Sequence, residues 1–340
     1  MTLTVSIESE SLSSDARSVF AQDAEWAFQA YTALCTKFDL PMANVHMVLT
    51  DDLEGAVRLR TGSTSYKAER GPVRVTAKCL YGRCGTELQN LNVIVDSWPW
   101  EQPQDPSDRL RALTVVNHEL MHPVLDELWV DAGIPKDTGE SQDLGRTLSD
   151  EYWADMLALA CLEALKVSVT ISTADGASSQ IPLALLLVAG HMDALELFLR
   201  DSHPHWPDTV QAYREWSIDL DTMRQRLASS FGECAILLAH TQAYLDAAHE
   251  NPSNRSSVFS TENLACLPAA QLYVAEPWQA LWECIQSAPL SQGREKLREY
   301  HDQLSATADS FFRQIWRSLG VEITPLPEGG AYFHVGEPKR

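Results

Sequence analysis

Basic side chains are scarce in this 340-residue chain: 26 Lys and Arg stand against 47 Asp and Glu, a formal charge of -21. Such a field repels phosphate backbones and anionic lipid headgroups, which disfavours nucleic-acid and membrane-surface binding. Long apolar runs are also missing. The longest, Ile181 to Gly190, falls far short of the roughly 20 residues of a membrane-spanning helix. The first twenty residues carry Glu8, Glu10 and Asp15 and lack a basic start followed by an apolar core, so no secretory signal is expected. Cysteine is sparse and odd in number, seven scattered residues, which suits reduced thiols in a cytoplasm rather than a disulfide framework. Cys79 and Cys84 flank a turn, but the two further ligands of a structural metal knuckle are not nearby.

What the chain does have is an ordinary globular composition, 45% apolar and 21% charged. Residues 16 to 39 show helical spacing, with Pro41 as the stop. Val73 to Ala77 and Leu91 to Val95 read as strands, with Tyr81 to Gly85 as a turn between them and 91 to 95 as a candidate edge strand. Asp105 and Pro106 mark a helix start. Gly and Pro between Val130 and Thr147 predict a loop. Beyond Lys166 the pattern predicts helices near 182 to 200, 207 to 229, 231 to 249, 277 to 288 and 294 to 319. The stretch 250 to 276 reads as a long loop, and the tail from Thr324 as irregular. No internal repeat is present.

The chemistry sits in the stretch from Leu110 to Trp129, which contains His118-Glu119-Leu120-Met121-His122. Residues four apart project from one face of a helix, so two imidazoles can grip one metal ion while Glu119 reaches a water beside it. Pro123 removes a backbone donor directly after His122 and predicts a kink or an end of the helix there. Further on the chain reads Ser149-Asp150-Glu151-Tyr152-Trp153-Ala154-Asp155. Ser149 is the expected N-cap, placing Glu151 in a first turn. Glu151 can be a third ligand, with Asp150 as an alternative, and Asp155 can accept the N–H of a ligating histidine. A metzincin would need histidine at the position of Leu128, a di-iron bundle a second ExxH pair, and an inverzincin the opposite motif order.

HExxH followed by ExxxD resembles the gluzincin metallopeptidases, and residues 113 to 162 look most like the compact cytoplasmic peptidases of the ImmA/IrrE type. The resemblance implies an α+β, predominantly helical protein with a zincin-like core, a small mixed sheet plus active-site helices, followed by a helical C-terminal half. The expected division is a catalytic region at 1–165 and a helical region at 166–340 that packs on it. The resemblance further implies one Zn2+ per chain on His118, His122 and Glu151, Glu119 as general base and Asp155 behind a histidine. A weaker resemblance, to phage-exclusion-type and membrane-embedded HExxH peptidases, rests on His203-Pro204 and Arg214. It implies a catalytic His203 stabilising an oxyanion; a turn-capping role is its structural alternative. His191 reads as an ordinary histidine at the edge of the core.

Trp216, Trp278, Trp282 and Trp316 read as core, whereas Trp98, Trp100 and Trp206 are candidates for a substrate wall. The expectation is therefore a cytoplasmic zinc peptidase that hydrolyses peptide bonds through a metal-activated water and acts on a protein or peptide substrate. A zinc-dependent hydrolase of a small molecule and a non-catalytic binding protein of the same fold stand as alternatives. Specificity and oligomeric state are not written in the sequence.

Overall fold

The computed structural model describes residues 2–70, 73–84, 87–101, 106–134, 144–164, 169–172, 178–181, 183–249, 255–261, 264, 267, 271–326 and 331–337. It is predominantly helical α+β with a small mixed sheet. Two compact units divide it: one comprises residues 1–136 and 153–187, the other 137–152 and 188–340. Asp105 and residues 135–143 of the expected loop between Val130 and Thr147 lie outside the described residues.

The first unit is built on a four-stranded sheet. Strands β1 (Leu3–Ile7), β2 (Val45–Thr50), β5 (Ala77–Leu80) and β8 (Leu91–Asp96) lie in the order β1-β2-β8-β5. β1, β2 and β8 run parallel, and β5 is antiparallel to β8. Strand 91–95 is thus central, not an edge; the edges are β1 and β5. The reason is visible in its composition, since Leu91, Val93, Ile94 and Val95 are all buried, as suits a strand covered on both faces. The strand expected at 73–77 divides into β4 (Val73–Arg74), paired with β3 (Glu69–Arg70), and β5. The turn expected at 81–85 includes β6 (Arg83–Cys84), paired with β7 (Glu87–Leu88).

Helix α1 (Ser14–Phe38) starts where Ser13 accepts the Ala16 N–H and ends at Asp39, at φ 54°. Helix α2 (Leu53–Thr61) covers Ile94 with Leu53, Ala56 and Val57. After the short α3 (Trp98–Glu101), helix α4 (Pro106–Asp131) packs on α1 and against β5 and β8. Buried Asp23 on α1 accepts the Trp100 indole N–H at 2.9 Å and two Arg109 N–H groups at 2.8 and 2.6 Å, tying α1 to α3 and α4. Trp100 is therefore core rather than substrate wall. Helix α4 runs through Pro123 without ending. A proline inside a helix costs about 3 kcal/mol, but Leu120, Met121, Val124, Leu125 and Trp129 are all buried around it, and that packing holds the helix. A hairpin, β9 (Val169–Ser172) with β10 (Ser178–Ile181), completes the unit.

Helix α5 (Leu144–Ala164) is continuous and contributes its first nine residues to the second unit and the remainder to the first. It begins before Ser149, so Ser149 is no N-cap: it is buried, with its hydroxyl 3.0 Å from that of Tyr300. Gly145 sets how close the start of α5 comes to helix α10 (Arg294–Ser318), because a Cβ there would lie 3.2 Å from Leu304 and Ala308.

The second unit further contains most of α6 (Leu183–Ser202), then α7 (His205–Arg214), α8 (Leu220–Ala248) and α9 (Glu276–Gln286). The two helices expected at 207–229 and 231–249 are divided differently. The break falls at 215–219, where Trp216 takes φ 60° and Asp219 caps α8 by accepting the Thr222 N–H. Trp216 is 89% exposed, not core. Trp206 is core rather than wall, donating to Ser230 at 2.8 Å and meeting Phe231 edge-on. Trp278, Trp282 and Trp316 are buried as expected. The expected loop at 250–276 contains short helical turns at Val258–Ser260 and Gln271–Ala275. The tail is not irregular: β11 (Val321–Pro325) pairs with β12 (Ala331–Val335). Phe333 meets Trp316 edge-on, which gives that hairpin an apolar anchor.

Among the described residues, no helix is long and apolar enough to cross a membrane.

Candidate metal centre

In the first unit, α4 carries His118, Glu119 and His122 on consecutive turns. His118 and Glu119 are buried, an unusual place for two ionisable groups unless they are partnered. The partner of His118 is Asp155 on α5. The His118 Nδ1–H donates to Asp155 Oδ1 at 2.8 Å, which fixes the tautomer and leaves the lone pair on Nε2. That nitrogen lies 3.0 Å from His122 Nε2, with the two rings nearly perpendicular. Pro123 has therefore not turned His122 away from His118.

Glu119 faces β5. Its Oε2 accepts the Cys79 backbone N–H at 2.8 Å, and Lys78 Nζ lies 3.3 and 3.2 Å from its two oxygens. Burial by itself would raise the Glu119 carboxyl. The Lys78 ammonium, the two histidines and the Cys79 amide outweigh it and hold the group below its ordinary 4.5. The carboxylate is thus ionised at neutral pH, with Oε1 free of the backbone bond that engages Oε2.

In the second unit, Glu151 occupies the turn of α5 that precedes Asp155, on the same helix face. Its Oε2 lies 3.6 Å from His240 Nε2 on α8. The neighbouring Asp150 pairs instead with Arg146, at 3.6 Å. Tyr152 donates its hydroxyl to Asp246 at 2.7 Å, and the same buried carboxylate accepts from Trp282 at 2.9 Å, Gln286 at 2.7 Å and Gln242 at 3.0 Å. Burial, and then the charge of Asp246, raise the Tyr152 phenol, so it stays a neutral donor. This network locks the residue next to Glu151.

His203 lies in the turn between α6 and α7, against the rings of Trp206 and Tyr273. Burial lowers its imidazole below the ordinary 6.5, which favours the neutral form. Its carbonyl accepts the Trp206 N–H, a turn-capping contact. Arg214 donates to the Gly336 carbonyl. His191 packs on Tyr244, with ring centroids 4.5 Å apart.

Nitrogen and carboxylate donors of this kind suit zinc. The orientation of His118 by a buried carboxylate and the convergence of two imidazole nitrogens are what a zinc ion would require, so the residues fit the metal. Lys78, His240 and Asp246 were not singled out by sequence. Lys78 lies far from the motif in the chain. His240 and Asp246 carried a signal, polar residues within the largely buried run from Leu238 to Asp246, that the helical pattern alone does not interpret.

In comparisons with protein-family models, with curated proteins and with solved structures, nothing matches this chain.

Proposed function

We propose that this chain is a zinc-dependent peptidase, with His118, His122 and Glu151 as ligands and Glu119 as general base. The observation that carries this reading is the 2.8 Å bond from His118 to buried Asp155, because it commits one ring nitrogen to the protein and turns the other toward His122. When bound, zinc supplies a Lewis acid that lowers the pKa of a nearby water. The residues of the chain do the rest. Asp155 keeps His118 in the ligating tautomer. Glu119, ionised and buried, takes a proton at Oε1 and returns it to the leaving amine, while the Cys79 amide and Lys78 fix its position.

A peptide substrate is supported by the placement of β5. It is an edge strand, it runs past Glu119, and an extended chain adds to such an edge through backbone hydrogen bonds. The charge of -21 supports partners other than nucleic acid or anionic membrane, and the cysteine content supports a cytoplasmic setting.

The test is incubation of the zinc-loaded protein and its Glu119→Gln variant with a peptide mixture, read by mass spectrometry for new termini. The wild type should cut, and the variant should bind zinc without cutting. Equal cleavage by both would remove Glu119 as the base.

A further inference from the structure

The edge of β5 fixes where an added strand would meet the base of the first unit. Asp96 donates its N–H to the Thr76 carbonyl at 2.8 Å, and in the same register Lys78 and Leu80 lie opposite Ile94 and Asn92. Antiparallel pairs alternate between bonded and non-bonded, so the backbone groups of Lys78 and Leu80 turn toward β8. Those of Ala77 and Cys79 turn the other way, to the edge. The Cys79 N–H agrees with this phase, since it is donated to Glu119 rather than to β8. Pairing along the edge therefore stops at Cys79, and an extended chain laid on it meets Glu119 there.

Lys78 reaches the same point. Successive side chains of a strand leave opposite faces, so Lys78 departs on the face of Ile94, away from that of Cys79. Its ammonium nevertheless comes round the edge to within 3.3 and 3.2 Å of the two Glu119 oxygens. Charge-assisted hydrogen bonds of this kind are normally shorter, about 2.7–2.9 Å. The Cys79 amide, at 2.8 Å, is the firmer anchor of the carboxylate. Lys78 straddles both oxygens without closing on either, and its side chain stays 30% exposed against 8% for Glu119. The ammonium is thus held beside the base and more open than the base itself.

We propose that Lys78 is the oxyanion donor of the peptidase proposed above, an inference that rests on that reading: its ammonium hydrogen-bonds the oxygen of the attacked carbonyl. The step moves negative charge from one place to another. One O–H bond of water breaks and its proton goes to Glu119 Oε1. The water oxygen bonds to the carbonyl carbon, and the π pair of the C=O bond passes to the carbonyl oxygen. Glu119 becomes neutral as that oxygen becomes negative. Lys78 keeps its protons and exchanges one anionic partner for another, so the event that creates the oxyanion also releases the donors that stabilise it. A cation already in place at a partly dry site stabilises such an oxygen far better than water does.

The experiment compares zinc-loaded wild type, Lys78→Met and Lys78→Arg on a peptide that the wild type cuts. The probe is the phosphinic analogue of that peptide, whose tetrahedral P–O group copies the charged oxygen, with affinity read by calorimetry. Lys78→Met should lower kcat by about 100- to 1,000-fold with KM nearly unchanged. Affinity for the phosphinic peptide should fall by a comparable factor, and Lys78→Arg should recover much of both losses. The deciding comparison is made in Glu119→Gln, where no base remains to be positioned; Lys78→Met should still weaken the phosphinic peptide there. Unchanged affinity in that background would overturn the inference and reduce Lys78 to a support for Glu119. A Lys78→Met enzyme as fast as the wild type would overturn it too, and either result leaves the peptidase reading standing. A wild type that takes up no zinc or cuts no peptide would overturn both readings. Lys78→Gln carries the same comparison if Lys78→Met does not fold.

Discussion

Asp155 Oδ1 lies 2.8 Å from His118 Nδ1, and both groups are buried. A carboxylate in that position selects the tautomer and orients the ring, and loss of such a partner typically weakens zinc binding by about 10- to 100-fold. Asp155→Ala should show a loss of that size by chelator competition. Asp155→Asn, whose amide oxygen still accepts the Nδ1–H, should recover most of it. Equal affinity in wild type and Asp155→Ala would reduce the contact to a packing feature.

Four tryptophans read alike in the sequence and divide sharply in the structure. Trp278 is fully buried against Phe311, whereas Trp216 is 89% exposed. Trp278→Ala should lower unfolding free energy by about 3–5 kcal/mol in urea. Trp216→Gly should change it by less than about 1 kcal/mol, since glycine also suits the φ of 60° at that site. A large loss at Trp216 would contradict its placement.

That contrast shows what was legible in the sequence. The alternation and β-branching of Leu91 to Val95 marked a strand, and the apolar periodicity after Lys166 marked helices, because burial writes those patterns directly. Which neighbour a strand takes is not local, so β8 read as an edge and proved central. Trp216 kept helical spacing, yet α7 ends at Arg214 and Trp216 itself takes the left-handed conformation before Asp219 caps α8. Pro123 looked like a break, but the buried residues around it outweighed a local penalty. The proposed site divides in the same way. His118, Glu119, His122, Glu151 and Asp155 were proposed from their spacing in the chain. Lys78, which meets Glu119, comes from a strand far away in the chain, where no spacing rule reaches.

Asp246 accepts four side-chain donors in a fully buried setting, from Tyr152, Gln242, Trp282 and Gln286. Asp246→Ala leaves those donors unsatisfied and should cost about 3 kcal/mol or more in urea unfolding. A cost under about 1 kcal/mol would mean that water replaces the carboxylate without penalty.

Burial pushes the Cys35 thiol up to about 11 and that of Cys234 up to about 12, from an ordinary 9.0. At pH 8 about a tenth of an ordinary thiol is thiolate, against about a thousandth of Cys35. Both should resist a thiol reagent in the folded protein and react at once on unfolding. The sign for stability follows. Below pH 9 both states keep the proton; as pH rises toward 11 only the unfolded chain ionises, so this contribution to stability is lost. The urea midpoint should fall between pH 8.5 and 10.5, a range chosen around that ordinary thiol value of about 9. Rapid labelling of folded protein at pH 8 would contradict the burial of these thiols.

The central claim is that a zinc ion is held on α4 and α5. Elemental mass spectrometry of the protein purified without chelators, wild type beside Glu151→Ala and His118→Ala, tests it most directly. The account predicts about one zinc per chain in the wild type, much reduced in both variants, with each still folded by circular dichroism. Wild-type protein that holds no zinc, even after reloading, would contradict the claim and reduce HExxH and Asp155 to a buried hydrogen-bonded pattern.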